Sequence, residues 1–321
     1  MSTSNFILLG GDGYFGRNFA YYLAEKEIKF IVVDKREYDD TFWGAFPLKN
    51  NLIKYIQLDL KKEESVETLD ETLDEYFTGI DDLNGKYDSF HLINFAATSF
   101  VDDCIADPNK SMSNNVKCCI NGLNVAKNHV AYITDYTYIS TDEVNVMKSE
   151  GELSPYVISK RKCEDFLKDR ESVKIMRPVN LMDVMIPGVS GLRQKNNCLL
   201  KILSEKPSHV YIHGKGEQMR MFMKMRVACE ELFKFVLGSE KMLDITLHPE
   251  LRTTNIKIRD IVHYLSAALH YNYSFIKDPR GQYQDYNYCV GKNHKPYSFY
   301  TSTRDIAIIL ESVKRMSENS K

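Results

Sequence analysis

No apolar run in this chain approaches the roughly 18 residues that a bilayer-crossing helix requires, so no membrane span is expected. Neither sign of charge is in excess. Forty-two basic against 44 acidic side chains leave a formal net charge of −2, which offers no footprint for nucleic acid or an anionic membrane surface. The seven cysteines include no CxxC pair and have no histidine partners at metal spacing. They predict free thiols in a reducing compartment, with no structural disulfide and no metal. The opening MSTSNFILLGG lacks a basic n-region, and its apolar run stops at Gly10, so no signal peptide is expected and the expected location is the cytoplasm. Internal repeats and low-complexity linkers are also missing.

What is present is an ordinary globular composition, 43% hydrophobic and 27% charged over 321 residues, enough for a large α/β core. NFILL, KFIVVD, IKYIQLDL, SFHLINFAA and YTYIS read as five strands. Helical stretches separate them, among them KKEESVETLDETLDEYF, with Val66, Leu69, Leu73 and Phe77 on its inner side. Strands alternating with helices predict a doubly wound parallel sheet of Rossmann type. Beyond about residue 180 the rhythm breaks into Gly- and Pro-containing loops with helices near CLLKILSEK, RVACEELFKFVLG, IRDIVHYLSAAL and TRDIAIILESVKRM. The expected organisation is residues 1–180 as a dinucleotide-binding unit carrying the catalytic residues. Residues 181–321 would be mainly a smaller substrate lobe, interleaved with the first.

In GGDGYFG, Gly10, Gly13 and Gly16 lie between a strand and a helix. Glycines there let the backbone turn tightly and bring a pyrophosphate onto free N–H groups at the helix N-terminus. Asp34 closes the second strand, where a carboxylate accepts hydrogen bonds from ribose hydroxyls and repels a 2′-phosphate, so NAD is expected rather than NADP. Lys35 and Arg36 follow directly. Asp59 could reach the adenine, and Ala96 and Ala97 are small enough for a cofactor to pass. The candidate cofactor set is Gly10, Gly13, Tyr14, Phe15, Gly16, Asp34, Asp59, Leu60, Ala96, Ala97, Thr98 and Ser140, with Tyr156 and Lys160.

The stretch STDEVNVMKSEGELSPYVISK, from Ser140 to Lys160, holds a hydroxyl, two carboxylates and a YxxxK pair. Together with the glycines, a strand ending in AA and the later RPVN, it resembles the extended short-chain dehydrogenases/reductases, the NAD-dependent epimerase/dehydratase family. Thr-Asp-Glu after the fifth strand is most similar to the nucleotide-sugar 4,6-dehydratases of the dTDP-glucose type. The resemblance implies a nucleotide-diphosphate-sugar substrate, a homodimer and substrate contacts from Asn180, Arg220 (in GKGEQMRMF) and Arg280 (in DPRGQYQDYNY). It also implies that Asn115 helps to organise the site.

The chemistry suits the residue types. A lysine ammonium and the nicotinamide cation would lower the pKa of Tyr156 and supply a phenolate base. Thr141 would hold the C4 hydroxyl. Glu143 would take the C5 proton made acidic by a C4 ketone, and Asp142 would protonate the departing C6 hydroxyl. A 4-epimerase or 4-reductase using only Thr141, Tyr156 and Lys160 is the alternative, and a non-catalytic NAD-binding paralogue is a further one. Three features depart from the family: a short interval between Glu143 and Tyr156, VNV where the family has VYG, and MRV at 225–227 where it has an acidic segment.

Overall fold

The first strand, β1 (Ser4–Leu9), buries Asn5 to Leu9 without a break. A strand covered on both faces has no polar side to alternate with, which is why NFILL reads as a continuous apolar run. In this computed structural model, which describes residues 4–43, 51–84, 89–145, 153–182, 185, 208–217, 219–248 and 253–276, β1 is an interior strand of a seven-stranded sheet. On one side lie β2 (Phe30–Asp34) and β3 (Leu52–Gln57). On the other lie β4 (Ser89–Asn94), β5 (Ile133–Ile139), β6 (Val173–Arg177) and finally β10 (Met242–Asp244). All neighbouring pairs are parallel. The strand order reverses between β1 and β4, and a crevice at the C-terminal ends of such strands is where α/β sheets bind ligands.

Side chains alternate across β1. Phe6 and Leu8 join one core with Phe19 and Leu23 of α1 (Tyr14–Glu25) and Leu232 of α7 (Met225–Leu237). Ile7 and Leu9 join the other, beneath α3 (Glu64–Asn84), α5 (Pro108–Asn128) and α6 (Pro155–Leu167). Leu69, Leu73 and Phe77 of α3 are buried there as the pattern predicted, with Val66 at the margin.

The MRV segment opens α7. Met225 is fully buried, while Arg226 reaches across to Glu25 near the end of α1 at 2.9 Å. The altered charge therefore ties the second half to the first without interrupting the helix. Residues beyond 180 also form two small sheets. In one, β9 (Met219–Lys224) lies between β7 (Asn180–Met182) and β11 (Thr253–Lys257). In the other, β8 (His209–His213) pairs with β12 (Asn272–Ile276), which follows α8 (Ile258–Leu269). Among the described residues no helix is long and apolar enough to cross a membrane, and no cluster of metal-ligating side chains occurs. The helices read near CLLKILSEK and TRDIAIILESVKRM lie outside the described residues.

Candidate active site

The chain leaves β1 through Gly10, whose φ of +70° lies in the left-handed region. A Cβ on Gly10 would stand 2.6 Å from the Ala96 amide nitrogen, so the end of β4 also requires glycine here. At Gly16 a Cβ would meet the Gly11 backbone at 2.7 Å, which packs the first turn of α1 tightly under the loop. Gly13 is different. It is the N-cap of α1, and its Cβ would touch only the Gly10 carbonyl, at 3.2 Å. No side chain caps this N-terminus and no acid occupies its first turn, so its amides and dipole are available to an anion.

Asp34, at the end of β2, accepts the amides of Asp12 and Arg36, each at 3.1 Å. A carboxylate has about four lone-pair sites, so capacity remains for ribose hydroxyls. Burial raises the pKa of Asp34, with Arg36 opposing. Arg36 itself is drawn onto the Asp12 carbonyl at 2.5 Å. The Asp12 carboxylate takes Arg17 Nε at 2.7 Å and Trp43 Nε1 at 3.1 Å. This buried brace beneath the glycine turn escaped the sequence reading. Its one signal was a charged residue between glycines.

Of the other cofactor candidates, Tyr14 and Phe15 open α1; the Tyr14 hydroxyl donates to Leu181 O and the Phe15 ring meets Phe95. Asp59 lies two residues beyond β3, ion-paired with Lys61 at 3.1 Å, and the neighbouring Leu60 carbonyl accepts Asn121 Nδ2. Ala96 and Ala97 follow β4, where Asn94 Oδ1 accepts the Ala96 amide. Asn115 then joins two parts of the site. Its Oδ1 accepts the Thr98 amide at 2.6 Å and its Nδ2 donates to Ser159 Oγ at 2.8 Å, while Ser159 donates to the Tyr156 carbonyl. Ser140 is buried, and its hydroxyl has no hydrogen-bond partner among the described residues. An orphaned hydroxyl, an uncapped helix N-terminus and a half-used carboxylate along one crevice fit NAD.

Ser154 caps α6 by accepting the Val157 amide, and Pro155 occupies the first helical position. Tyr156 therefore falls in the first turn and Lys160 one turn later. Lys160 Nζ donates to Ile139 O at 2.7 Å and lies 5.8 Å from the centre of the Tyr156 ring. The groups of the chain itself raise the Tyr156 pKa, and the lowering expected from a nicotinamide cation belongs to the cofactor-bound protein. Desolvation pushes the phenol up, and the charges of Glu143, Cys104 and Asp142 add to it. Lys160 does not offset this: its ammonium is spent on the β5 carbonyl, and burial lowers its own pKa.

Thr141 and the 3₁₀ turn Asp142–Asn145 follow β5. Thr141 Oγ1 donates to Asp142 Oδ1 and accepts the Glu143 amide, both at 3.4 Å. Asp142 is enclosed, whereas Glu143 is partly exposed. Thr141, Asp142, Glu143, Tyr156 and Lys160 thus gather at one end of the sheet. Asn180 and Arg220 lie on the adjacent strands β7 and β9, where Asn180 Nδ2 donates to Met221 O and Arg220 to its neighbour Met219 O. Arg280 lies outside the described residues.

Known proteins share this fold. The profile of the NAD dependent epimerase/dehydratase family matches residues 6–228. A protein of Schizosaccharomyces pombe described as uncharacterized is 25% identical over 251 residues, which span 68% of this chain and 66% of that relative. The chain therefore matches just under two thirds of that relative's length. Among solved structures, a dTDP-glucose 4,6-dehydratase of Streptomyces venezuelae with NAD and TYD bound is 19% identical, with a TM-score of 0.68 over 98% of this chain and 97% of that one. A UDP-N-acetylglucosamine 4-epimerase of Methanobrevibacter ruminantium is 18% identical, also at 0.68, over 100% and 98%. At such identities the likeness is one of fold. With the family match over more than half its length, the chain belongs to the NAD dependent epimerase/dehydratase family, extended short-chain dehydrogenases/reductases with NAD as cofactor.

Proposed function

We propose that this protein is a nucleotide-sugar 4,6-dehydratase, converting a nucleotide-diphosphate sugar to its 4-keto-6-deoxy form. The observation that carries the reading is that Asp142 and Glu143, adjacent on one turn, both reach the Tyr156 phenol electrostatically. NAD, when bound, would supply a hydride acceptor for C4 and a hydride donor for C6, the proton that C5 then needs coming back from Glu143. Thr141 holds the C4 hydroxyl while Tyr156 takes its proton, the positive charge of bound nicotinamide opposing the desolvation that otherwise raises the phenol's pKa. Glu143, partly exposed, removes the C5 proton, and the enclosed Asp142 gives a proton to the C6 oxygen as it leaves as water. Unlike surroundings are how neighbouring carboxyls assume opposite roles.

In this reading Gly10, Gly13, Gly16, Asp34 and Ser140 line the cofactor path, and Asn180, Arg220 and Arg280 belong to the sugar-nucleotide side. Residues 1–180 serve NAD and catalysis, residues 181–321 mainly the substrate. Two copies pair through α5 and α6; a monomer by light scattering at micromolar concentration would contradict that assembly. One observation favours the alternative 4-epimerase or 4-reductase: the Asp142 carboxylate turns toward the Thr141 hydroxyl and is only 2% exposed. Incubation with dTDP-, UDP-, GDP- and CDP-sugars decides. Loss of one water by mass supports dehydration, whereas an isomer of unchanged mass, or a reduced 4-keto sugar, supports the alternative.

A further inference from the structure

The family's VYG after the two carboxylates is VNV here, and the structure gives the asparagine a definite task. Asn145 ends the 3₁₀ turn that carries Asp142 and Glu143. Its Nδ2 donates to Asp244 Oδ2 at 2.7 Å, and its Oδ1 accepts from Arg177 Nη1 at 2.9 Å. Arg177 Nη1 also bonds Asp244 Oδ2, at 3.1 Å. The rest of the guanidinium forms a two-point fork on Glu164, Nε to Oε1 at 3.0 Å and Nη2 to Oε2 at 2.6 Å. Glu164 stands on α6 one turn beyond Lys160. A single neutral side chain therefore joins the carboxylate turn to the helix of the Tyr–Lys pair, through β6 and β10. Arg161, also on α6, holds the same turn by its fork on Val144 O at 3.0 and 2.9 Å.

The residue type is specific. An amide donates from one terminal atom and accepts at the other at every ordinary pH, and here it donates to a carboxylate and accepts from a guanidinium. An aspartate would set a third carboxyl group beside Asp244 and Glu164, and a small apolar residue would take one hydrogen bond from each of Arg177 and Asp244 and cut the turn loose from their ion pair.

We propose that Asn145 is a positioning residue that, through Arg177 and Asp244, fixes the acid–base turn relative to Tyr156 and Lys160. Its effect on the reaction rests on the dehydratase reading; the placement of the turn does not. A misplacement of about 1 Å at reacting groups costs on the order of 10²-fold in rate.

The test uses Asn145→Ala and the near-isosteric Asn145→Asp in the full chain. Hydrogen exchange in the absence of substrate should be at least about tenfold faster over residues 141–145 in both variants, while α1 is unchanged. In Asn145→Asp the excess should shrink toward the unmutated value on acidification, because a protonated carboxyl group again donates to Asp244 and accepts from Arg177. Arg161 and Glu164 of α6, with Asp244 and Arg177, are the charged groups to which that response answers. With a dehydrated sugar, water loss should fall about 10- to 100-fold while nicotinamide reduction stays within about threefold. Unchanged exchange over 141–145 in both variants overturns the inference, whatever the activity. Faster exchange in a protein that releases no water from any sugar overturns the dehydratase reading and leaves the positioning role standing.

Discussion

Lys160 donates its ammonium to the main-chain carbonyl of Ile139 at 2.7 Å, so the catalytic helix is pinned to the end of β5 by the residue that would assist Tyr156. The same bond sets the end of β5, two residues before Thr141, against α6. Lys160→Met removes a buried charge and leaves one carbonyl short of a donor, two effects of opposite sign. Stability should change by less than about 2 kcal/mol, while nicotinamide reduction falls by about 10²- to 10⁴-fold. Denaturant unfolding and single-turnover absorbance check this; near-normal reduction would show that Lys160 is structural only.

The phenol of Tyr156 is held above its ordinary value of 10.0 by desolvation first and Glu143 second. A raised native pKa contributes stability that is fully present below the unfolded value and is lost as pH rises through the native one. Glu143→Gln removes part of the cause, so the phenolate absorbance of this tyrosine should appear at lower pH, and the alkaline loss of stability, which still begins at the unfolded value, should end sooner and be smaller in total. Comparison with Tyr156→Phe isolates the signal. An unmoved titration would mean that Glu143 does not face the phenol.

Gly10 and Gly13 should fail in different ways. Gly10→Ala puts a side chain at φ +70° and a methyl 2.6 Å from the Ala96 nitrogen, so it should destabilise the fold by about 1–3 kcal/mol or more. Gly13→Ala has an ordinary φ of −78° and meets little protein, yet its methyl enters the phosphate approach. Its melting temperature should stay near the parent value while NAD affinity drops. Equal losses of stability would contradict the assignment of that crevice.

Burial raises the pKa of Asp34 above its ordinary 3.8. A proton on Asp34 removes its charge and one of its acceptor oxygens, so in the proposed role NAD affinity should begin to fall on acidification at a pH above that of an ordinary carboxylate. Asp34→Ala should weaken NAD binding and flatten this limb. Calorimetric titrations with NAD and NADP check both points; tighter binding of NADP by the unmutated protein would contradict the role of Asp34.

The central strands were legible because two-sided burial leaves apolar runs, as in Asn5 to Leu9 and Phe30 to Val33, punctuated by Gly10 and Asp34. The flank was not. β10 has three residues and joins the sheet only by pairing Met242–Asp244 with residues 175–177, far away in sequence. β7, β9 and β11 are short, and their partners are set by tertiary contact. At the site the residue types were readable from spacing, but the electrostatics were not. The phenol's direction of shift depends on how closely Glu143 and Asp142 approach and on where the Lys160 ammonium is spent. Asn145 was visible as a departure from VYG, and its purpose appeared only when Asp244 came alongside.

The most direct measurement is single turnover of Asp142→Asn/Glu143→Gln with the sugar nucleotide that the parent converts. In the dehydratase reading, oxidation at C4 needs only Thr141, Tyr156 and Lys160, whereas elimination needs both carboxyls. Reduced-nicotinamide absorbance should rise and persist, and release of water should fall by about 10²-fold or more for each lost acid–base group. Turnover at the parent rate, with no accumulation of reduced nicotinamide, would make both carboxylates bystanders and contradict the dehydratase reading.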